Sequence, residues 1–553
     1  MTDLSHDPQA SGRETSDTGT VVTSSPVAMD LSVLGDARPH LGLDDLVWPT
    51  DYDAYHTLSR TLIDSLVETI RTLDPGEDAA AVTRAKTYDI ITDLAFIARL
   101  AFDITNTRQA GRELSFDTEA SPMLAYLVAG GDPARAPVLR IWHHPVDLRV
   151  KTRARKAARR GRSHLQARLA GGERIDVHNR NNLVNTVLGV DTRAAIDWPV
   201  TNIDWHHGRD VPAALTESVS EMGDAYARVI AQFIDDAALR DTLEALGRHL
   251  ISYHLAKSWA DFKTFEQHMR LRPMGTMLIS GTPKHLGRLA GWLYRREGLP
   301  VVRCAHGGER VFFSDYEWGL AEFPDCDTYY AHSAGERDAL AHRLSTNATA
   351  LVQPGQPIEF RTLGSPHHQG LLTRSHARRR PKNTGTIIYV AGGYLGEQLG
   401  DFPNRKPPDP LYLDWQIDLV LAIKALGYRV VVKPHPAGIA HEARFLAHHT
   451  DSELEGLFDP TNVSADAFVF DFAGTAFFDA LATDIPMVFA DMGVRPYDPT
   501  AYDDLVTRCP IAPAARDDRG RFRIDRDQLG NALTNAIEMN TCPAGFHDRY
   551  FGA

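Results

Sequence analysis

Two short segments constrain this chain more than any others: Val301-Val302-Arg303-Cys304-Ala305-His306-Gly307-Gly308 and Val430-Val431-Val432-Lys433-Pro434-His435-Pro436. Each is an apolar, β-branched run that stops at a histidine flanked by Gly or Pro. Such runs read as buried parallel strands, and the ends of those strands are where open α/β sheets place their ligands. A histidine at two such ends predicts a cleft between two α/β halves, with a titratable group on each wall.

At 553 residues the chain is too long for a single core. It carries a formal charge of −13 with 24% charged residues, which argues against nucleic acid as a partner. No stretch reaches the ~18 uninterrupted apolar residues of a membrane span. Residues 1–36 are polar, lack an apolar signal core, and read as a disordered leader. The four cysteines, Cys304, Cys326, Cys509 and Cys542, are too dispersed for a zinc site or a disulfide framework. They read as small buried hydrophobes in a reducing, cytoplasmic setting.

Residues 37–120 are helical in pattern, with apolar positions at three- and four-residue spacing over Tyr55–Ile70 and Ala85–Phe102. A first Rossmann-like region is expected over 121–370, with strands at Val138–Trp142, Arg174–His178, Met277–Ser280 and Leu299–Ala305. An Ala-rich helical insertion falls at about 212–268. The polar, basic stretch at 371–384 reads as a linker. The α/β pattern restarts over 385–553, with strands at Thr386–Val390, Val430–Lys433, Ala467–Phe470 and Pro486–Phe489. Helices are expected at Leu413–Leu426, Glu442–His448 and Gly474–Thr483. The expected architecture is two Rossmann-like halves with an additional helical N-terminal region.

In the second half, Lys433 and His435 stand at a strand end stiffened by two prolines. Asp471-Phe472-Ala473-Gly474-Thr475 is a strand exit running into a helix start, whose free N–H groups suit a phosphate. Gly474 lets the backbone approach, Thr475 adds a hydroxyl, and Asp479 lies one turn on, within reach of a ribose hydroxyl. Taken alone, Thr475 reads as an N-cap and His435 as a packed strand end; together they point to a nucleotide site. In the first half, His306 on the Gly307-Gly308 loop is read either as a general base for an attacking hydroxyl or as a histidine bracing a turn. Glu322 and Asp327 are carboxylate candidates, although the Asp325-Cys326-Asp327 triplet also fits a solvated loop. Ser280, Gly392 and Gly393 are read as cleft-lining. His143-His144 and His367-His368 are read as structural or cleft-lining, with no metal and no cofactor expected. The basic run Arg149–Arg162 is a solvated helix face or a patch for anionic lipid or glycan, at about 1 kcal/mol per basic residue near such a surface.

Several of these segments resemble bacterial surface-polysaccharide transferases: the His-Gly-Gly loop, the Glu322–Asp327 segment, Leu363-Gly364-Ser365-Pro366, and Lys433-Pro434-His435-Pro436 followed by the turn into a helix. The group comprises capsule Kdo transferases, sialyltransferases with a His-Pro motif, and CDP-glycerol glycerophosphotransferases. The resemblance covers about Met277–Asp491. It implies the GT-B fold of two facing Rossmann domains, with His435 and Thr475 holding the nucleotide phosphate and His306 as base. Gly474-Thr475 stands where a Ser-Ser or Ser-Thr pair is usual, and Asp479 where Glu is usual. The expected activity is transfer of a sugar or polyol phosphate from a nucleotide-activated donor, CMP- or CDP-linked, to a glycan or lipid-linked acceptor, in the cytoplasm or at the inner membrane face. A nucleotide-sugar epimerase and a non-catalytic nucleotide-sugar-binding scaffold are the alternatives.

Overall fold

A computed structural model describes residues 26–34, 46–137, 158, 161–197, 211–280, 285–321, 326–346, 351, 357–377, 384–397, 406–435, 445–539 and 541–552. The expected strand at Val138–Trp142, the His143-His144 pair, Glu322, Asp325 and nearly all of Arg149–Arg162 lie outside these residues.

Residues 26–34 correct the expectation of a disordered leader running to position 36. Val27–Ala28 (β1) pairs in parallel with Leu114–Ser115 (β2), and Val27, Leu31 and Leu34 are buried. Asp30 anchors the segment by accepting from the Asp117 backbone N–H (2.8 Å) and the Ser121 hydroxyl (3.0 Å).

The N-terminal helices and the insertion form one structure. Helices Tyr52–Thr72, Glu77–Gln109, Thr216–Phe233 and Ala237–Arg270 pack side by side. Their apolar faces need partners, and each finds them on the others: Leu62, Leu66, Ile90, Ile97, Val229 and Leu246 are all buried. Inside the bundle His254 Nε2 meets Asp93 Oδ2 at 2.6 Å. His285 Nε2 reaches Asp261 at 2.6 Å while its Nδ1 sits 3.2 Å from Lys86 Nζ. That chain ties the bundle to helix His285–Arg296 of the first sheet.

The first sheet has six parallel strands, β3 (Arg174–His178), β4 (Ala194–Asp197), β5 (Thr276–Ser280), β6 (Val301–Cys304), β7 (Thr328–Ala331) and β8 (Glu359–Thr362), in the order β4-β3-β5-β6-β7-β8. The chain changes direction across the sheet between β3 and β5.

The second sheet has seven strands: β9 (Thr386–Val390), β10 (Arg429–Lys433), β11 (Ser452–Glu453), β12 (Ala467–Phe470), β13 (Met487–Asp491), β14 (Ile511–Arg516) and β15 (Phe522–Ile524). Their order is β11-β10-β9-β12-β13-β14-β15, parallel except for β15. The switch falls between β9 and β12, the arrangement that opens a crevice beyond the carboxyl ends of those strands. The chain is therefore α/β, with two parallel-dominated sheets and a helical bundle.

Two other expectations change. Helix Pro366–Ala377 occupies the first half of the expected linker, and Ser375 and Arg374 on it bond Asp484 and Thr461 of the second unit. The expected helix Glu442–His448 is turn over its described residues 445–448. The last helix, Ala544–Phe551, crosses back to the first unit, where Phe546 and Tyr550 pack on Phe312 at ring distances of 5.9 and 4.9 Å.

Candidate functional site

The loops leaving the carboxyl ends of both sheets meet in one seam. From the first sheet, Gly307 and Gly308 follow His306 directly, and a methyl built on Gly308 would overlap the Phe478 ring of the second unit. Glycine at 308 is therefore required by close approach. Val311, Phe312 and Phe313, the next residues along, are fully buried in an aromatic core shared with Phe468, Phe477, Phe489 and Phe551. From Gly307 on the loop is buried and its apolar continuation plugs the second unit, while His306 at its start stays exposed.

The strand-end positions of the first sheet are rich in histidine. His306 is exposed. His332, after β7, is buried, and the Glu336 carboxylate accepts from its backbone N–H (2.5 Å) and meets its Nδ1 (2.9 Å). Burial disfavours the imidazolium, but Glu336 outweighs it and raises the His332 pKa. Ser280 and His178 are buried at the ends of β5 and β3, on either side of the switch point.

Burial alone pushes His178 down from 6.5 to about 4, and its Nδ1 has no hydrogen-bond partner. The folded state thus favours the neutral ring, so this contribution is complete above pH 6.5 and is lost as pH falls toward 4. Acidifying from pH 7.5 to 5 should remove ~2 kcal/mol through this one group. Chemical denaturation of His178→Gln across that range should show a correspondingly flatter pH profile; an unchanged slope would assign the loss elsewhere.

Asp327 falls apart from this group. It precedes β7, at the opposite edge of the sheet from His306, where its carboxylate accepts from the Val301 N–H (2.8 Å) and pairs with Arg295 (3.3 Å). It holds the start of β6, because a residue before a parallel strand lies at the sheet's amino edge. Glu322 lies outside the described residues.

In the second unit, Gly392 and Gly393 follow β9 and Asp471–Thr475 follow β12, so these two loops flank the switch point. A side chain at Gly392 would collide with the Tyr412 hydroxyl. Lys406 donates to the Gly393 carbonyl (3.0 Å) and sits 4.1 Å from the centre of the Phe472 ring. Asp471 is buried and accepts from Tyr389 (2.6 Å); burial raises its pKa against that bond. Next to β9, at the end of β10, Lys433 is buried and donates to the Pro434 carbonyl (2.7 Å), and His435 is exposed. Burial lowers the Lys433 pKa, with Glu453 opposing. Gly474 is half-buried and Thr475 exposed at the start of helix Thr475–Leu481.

Asp479 is turned from the role expected of it. Rather than facing a ribose, its Oδ1 lies 3.2 Å from His367 Nε2 and 3.1 Å from His368 Nε2, on helix Pro366–Ala377. Burial works against the carboxylate, and the two imidazoles more than offset it, so its pKa is lowered. His368 is pushed by burial to about 4.

The seam is closed elsewhere by Arg495, which forks onto Asp315 (3.0 and 2.6 Å), donates to the Ala473 carbonyl (3.1 Å) and lies 4.1 Å from the Phe313 ring centre. Beside that pair is a cavity of about 230 Å³. One wall is the helix Tyr52–Thr72 (His56, Thr57, Arg60, Ile63), another is Asp315–Glu317, and the third is Val494 with Pro496. Nε2 of His56 is buried without a partner, and burial lowers that ring's pKa.

Several of these groups escaped the sequence reading. His332 and His178 end strands as His306 does and obey the same rule. Arg495, Lys406 and the cavity face of helix Tyr52–Thr72 carry no local signal. No protein-family model matches this chain, and no curated protein matches it at a significant level.

Proposed function

We propose that the chain is a transferase moving a sugar or polyol phosphate from a nucleotide-activated donor, CMP- or CDP-linked, to a hydroxyl acceptor, with its two units working as a GT-B pair. The observation that carries this is the strand order of the second sheet. It places the Gly392-Gly393 loop and the Asp471–Thr475 loop on either side of the switch point, with Lys433 and His435 on the adjoining strand end. Glycines for close backbone approach, two basic side chains and a helix start are the parts a nucleotide phosphate needs.

In this reading the bond between the transferred group and the nucleotide phosphate breaks as the acceptor oxygen attacks. His306 takes the acceptor proton, and Lys433, His435 and the N–H groups at Gly474–Thr475 stabilise the charge left on the nucleotide. No described helix is long and apolar enough to cross a membrane. A lipid-linked acceptor would accordingly be met at the surface, with Arg149–Arg162 as the contact.

A thermal-shift screen of CMP, CDP, UDP and GDP tests the proposal. The matching nucleotide at 100 times its dissociation constant should stabilise the protein by about 2.7 kcal/mol. No response to any of the four would overturn the reading. Incubation with the matching donor, without and then with an acceptor, separates the chemistries, because an epimerase converts the donor alone, a transferase converts it only with acceptor, and a scaffold does neither.

A further inference from the structure

His367, His368 and Asp479 come from two different units and converge on one point. Their donor atoms lie within 4.8 Å of one another, and both Nε2 atoms approach the same carboxylate oxygen, at 3.2 and 3.1 Å. Within each histidine–carboxylate pair, donors about 3.1–3.2 Å apart subtend about 100° at an ion about 2.0–2.1 Å from both, close to a tetrahedral angle, and the two Nε2 atoms, within 4.8 Å of each other, share that ion once they close to under about 4.2 Å. From this convergence we propose a transition-metal site, best suited to Zn²⁺, that staples helix Pro366–Ala377 to helix Thr475–Leu481 across the seam.

The donor set selects the metal class. Two imidazoles and one carboxylate suit zinc and its neighbours, while calcium and magnesium require oxygen ligands throughout. Three protein donors leave a fourth position for water. His367 is one-third exposed on that side, which gives the ion a route in.

The surroundings fit as well. His368 is held by the Phe478 ring at 5.0 Å and the Phe551 ring at 5.1 Å, so its Nε2 is fixed in direction and the site is walled by apolar surface. Ligation needs the Nε2 lone pair, so each ring must carry its proton on Nδ1. In His368 that atom is buried with no hydrogen-bond partner, so moving the proton there gives up the Nε2–H bond to Asp479 and leaves Nδ1–H unpaired, a cost the bond to the ion must exceed. In His367 the exposed ring can place it toward water. The carboxylate of Asp479 then exchanges two N–H donors for one cation.

The site goes beyond the transfer reading, and its test uses no nucleotide. The full-length protein, stripped with chelator, is equilibrated by dialysis against micromolar Zn²⁺, and bound zinc is counted for wild type, Asp479→Asn and His368→Ala. The expected result is one equivalent fewer in each variant than in wild type, with Zn²⁺ raising the melting temperature of wild type and leaving that of Asp479→Asn unmoved. The substitution to Asn keeps the shape and one acceptor oxygen, so it decides the matter even where His368→Ala fails to fold. Equal zinc counts in wild type and Asp479→Asn, or a wild type whose melting temperature ignores Zn²⁺, would show a hydrogen-bonded latch without metal and overturn the proposal.

Discussion

Asp176→Ala should be the most damaging single substitution in the first sheet, costing about 3–5 kcal/mol and leaving little folded protein at 37 °C. Asp176 sits on β3, fully buried, and its two oxygens collect donors from four places. Arg174 reaches it through Nε (3.1 Å) and Nη2 (3.2 Å), Tyr294 through its hydroxyl (2.7 Å), the Gly275 backbone N–H at 3.1 Å, and Arg272 through Nη2. Both guanidiniums are themselves buried. Removing the carboxylate strands two cations in a low-dielectric interior, a cost set by lost solvation rather than by the lost contacts. Asp176→Asn keeps acceptor capacity but no charge, and should fall between the two. The urea midpoint of the three proteins measures this. A loss under 1 kcal/mol for alanine would mean that the arginines find water or other acceptors.

Asp315→Ala should cost a similar ~3–5 kcal/mol and should act on the joint between the units. Arg495 would remain buried against Phe313 with the Ala473 carbonyl as its acceptor. The double variant Asp315→Ala/Arg495→Met should recover most of the loss, because an apolar side chain of similar length fills the space without a charge to compensate. Guanidinium denaturation of the four corners of this cycle gives the coupling directly. Additive losses would show that the pair does not hold the seam.

The difference between what the sequence revealed and what it hid is physical. Runs such as Thr386–Val390 and Ala467–Phe470 are apolar or β-branched throughout, and their bounds in the structure match the sequence expectation. Strand β14, Ile511–Arg516, carries Pro513 and three alanines, and β8, Glu359–Thr362, is mostly polar; neither has a composition that signals a strand. The two N-terminal helices were legible from their periodicity, but periodicity marks a buried face without naming what covers it. Their joining with the helices at 216–270 is a tertiary fact.

The site shows the same division. A histidine ending an apolar run identifies a carboxyl-edge position, which made His306 and His435 visible. The Tyr329-Tyr330 run before His332 is less β-branched, and that signal was correspondingly weaker. Asp479 and His367 were each conspicuous, yet their sequence separation of 112 hides their contact. Nothing in the local pattern distinguishes an aspartate facing a ribose from one facing two imidazoles.

Titration calorimetry of the nucleotide that gives the largest thermal shift, against wild type and the Lys433→Ala and His435→Ala variants, tests most directly whether the second sheet's switch point is a nucleotide site. Affinity at least tenfold weaker in each variant, equivalent to about 1.4 kcal/mol, is the predicted result. Undiminished affinity in both would place the nucleotide elsewhere and contradict the account.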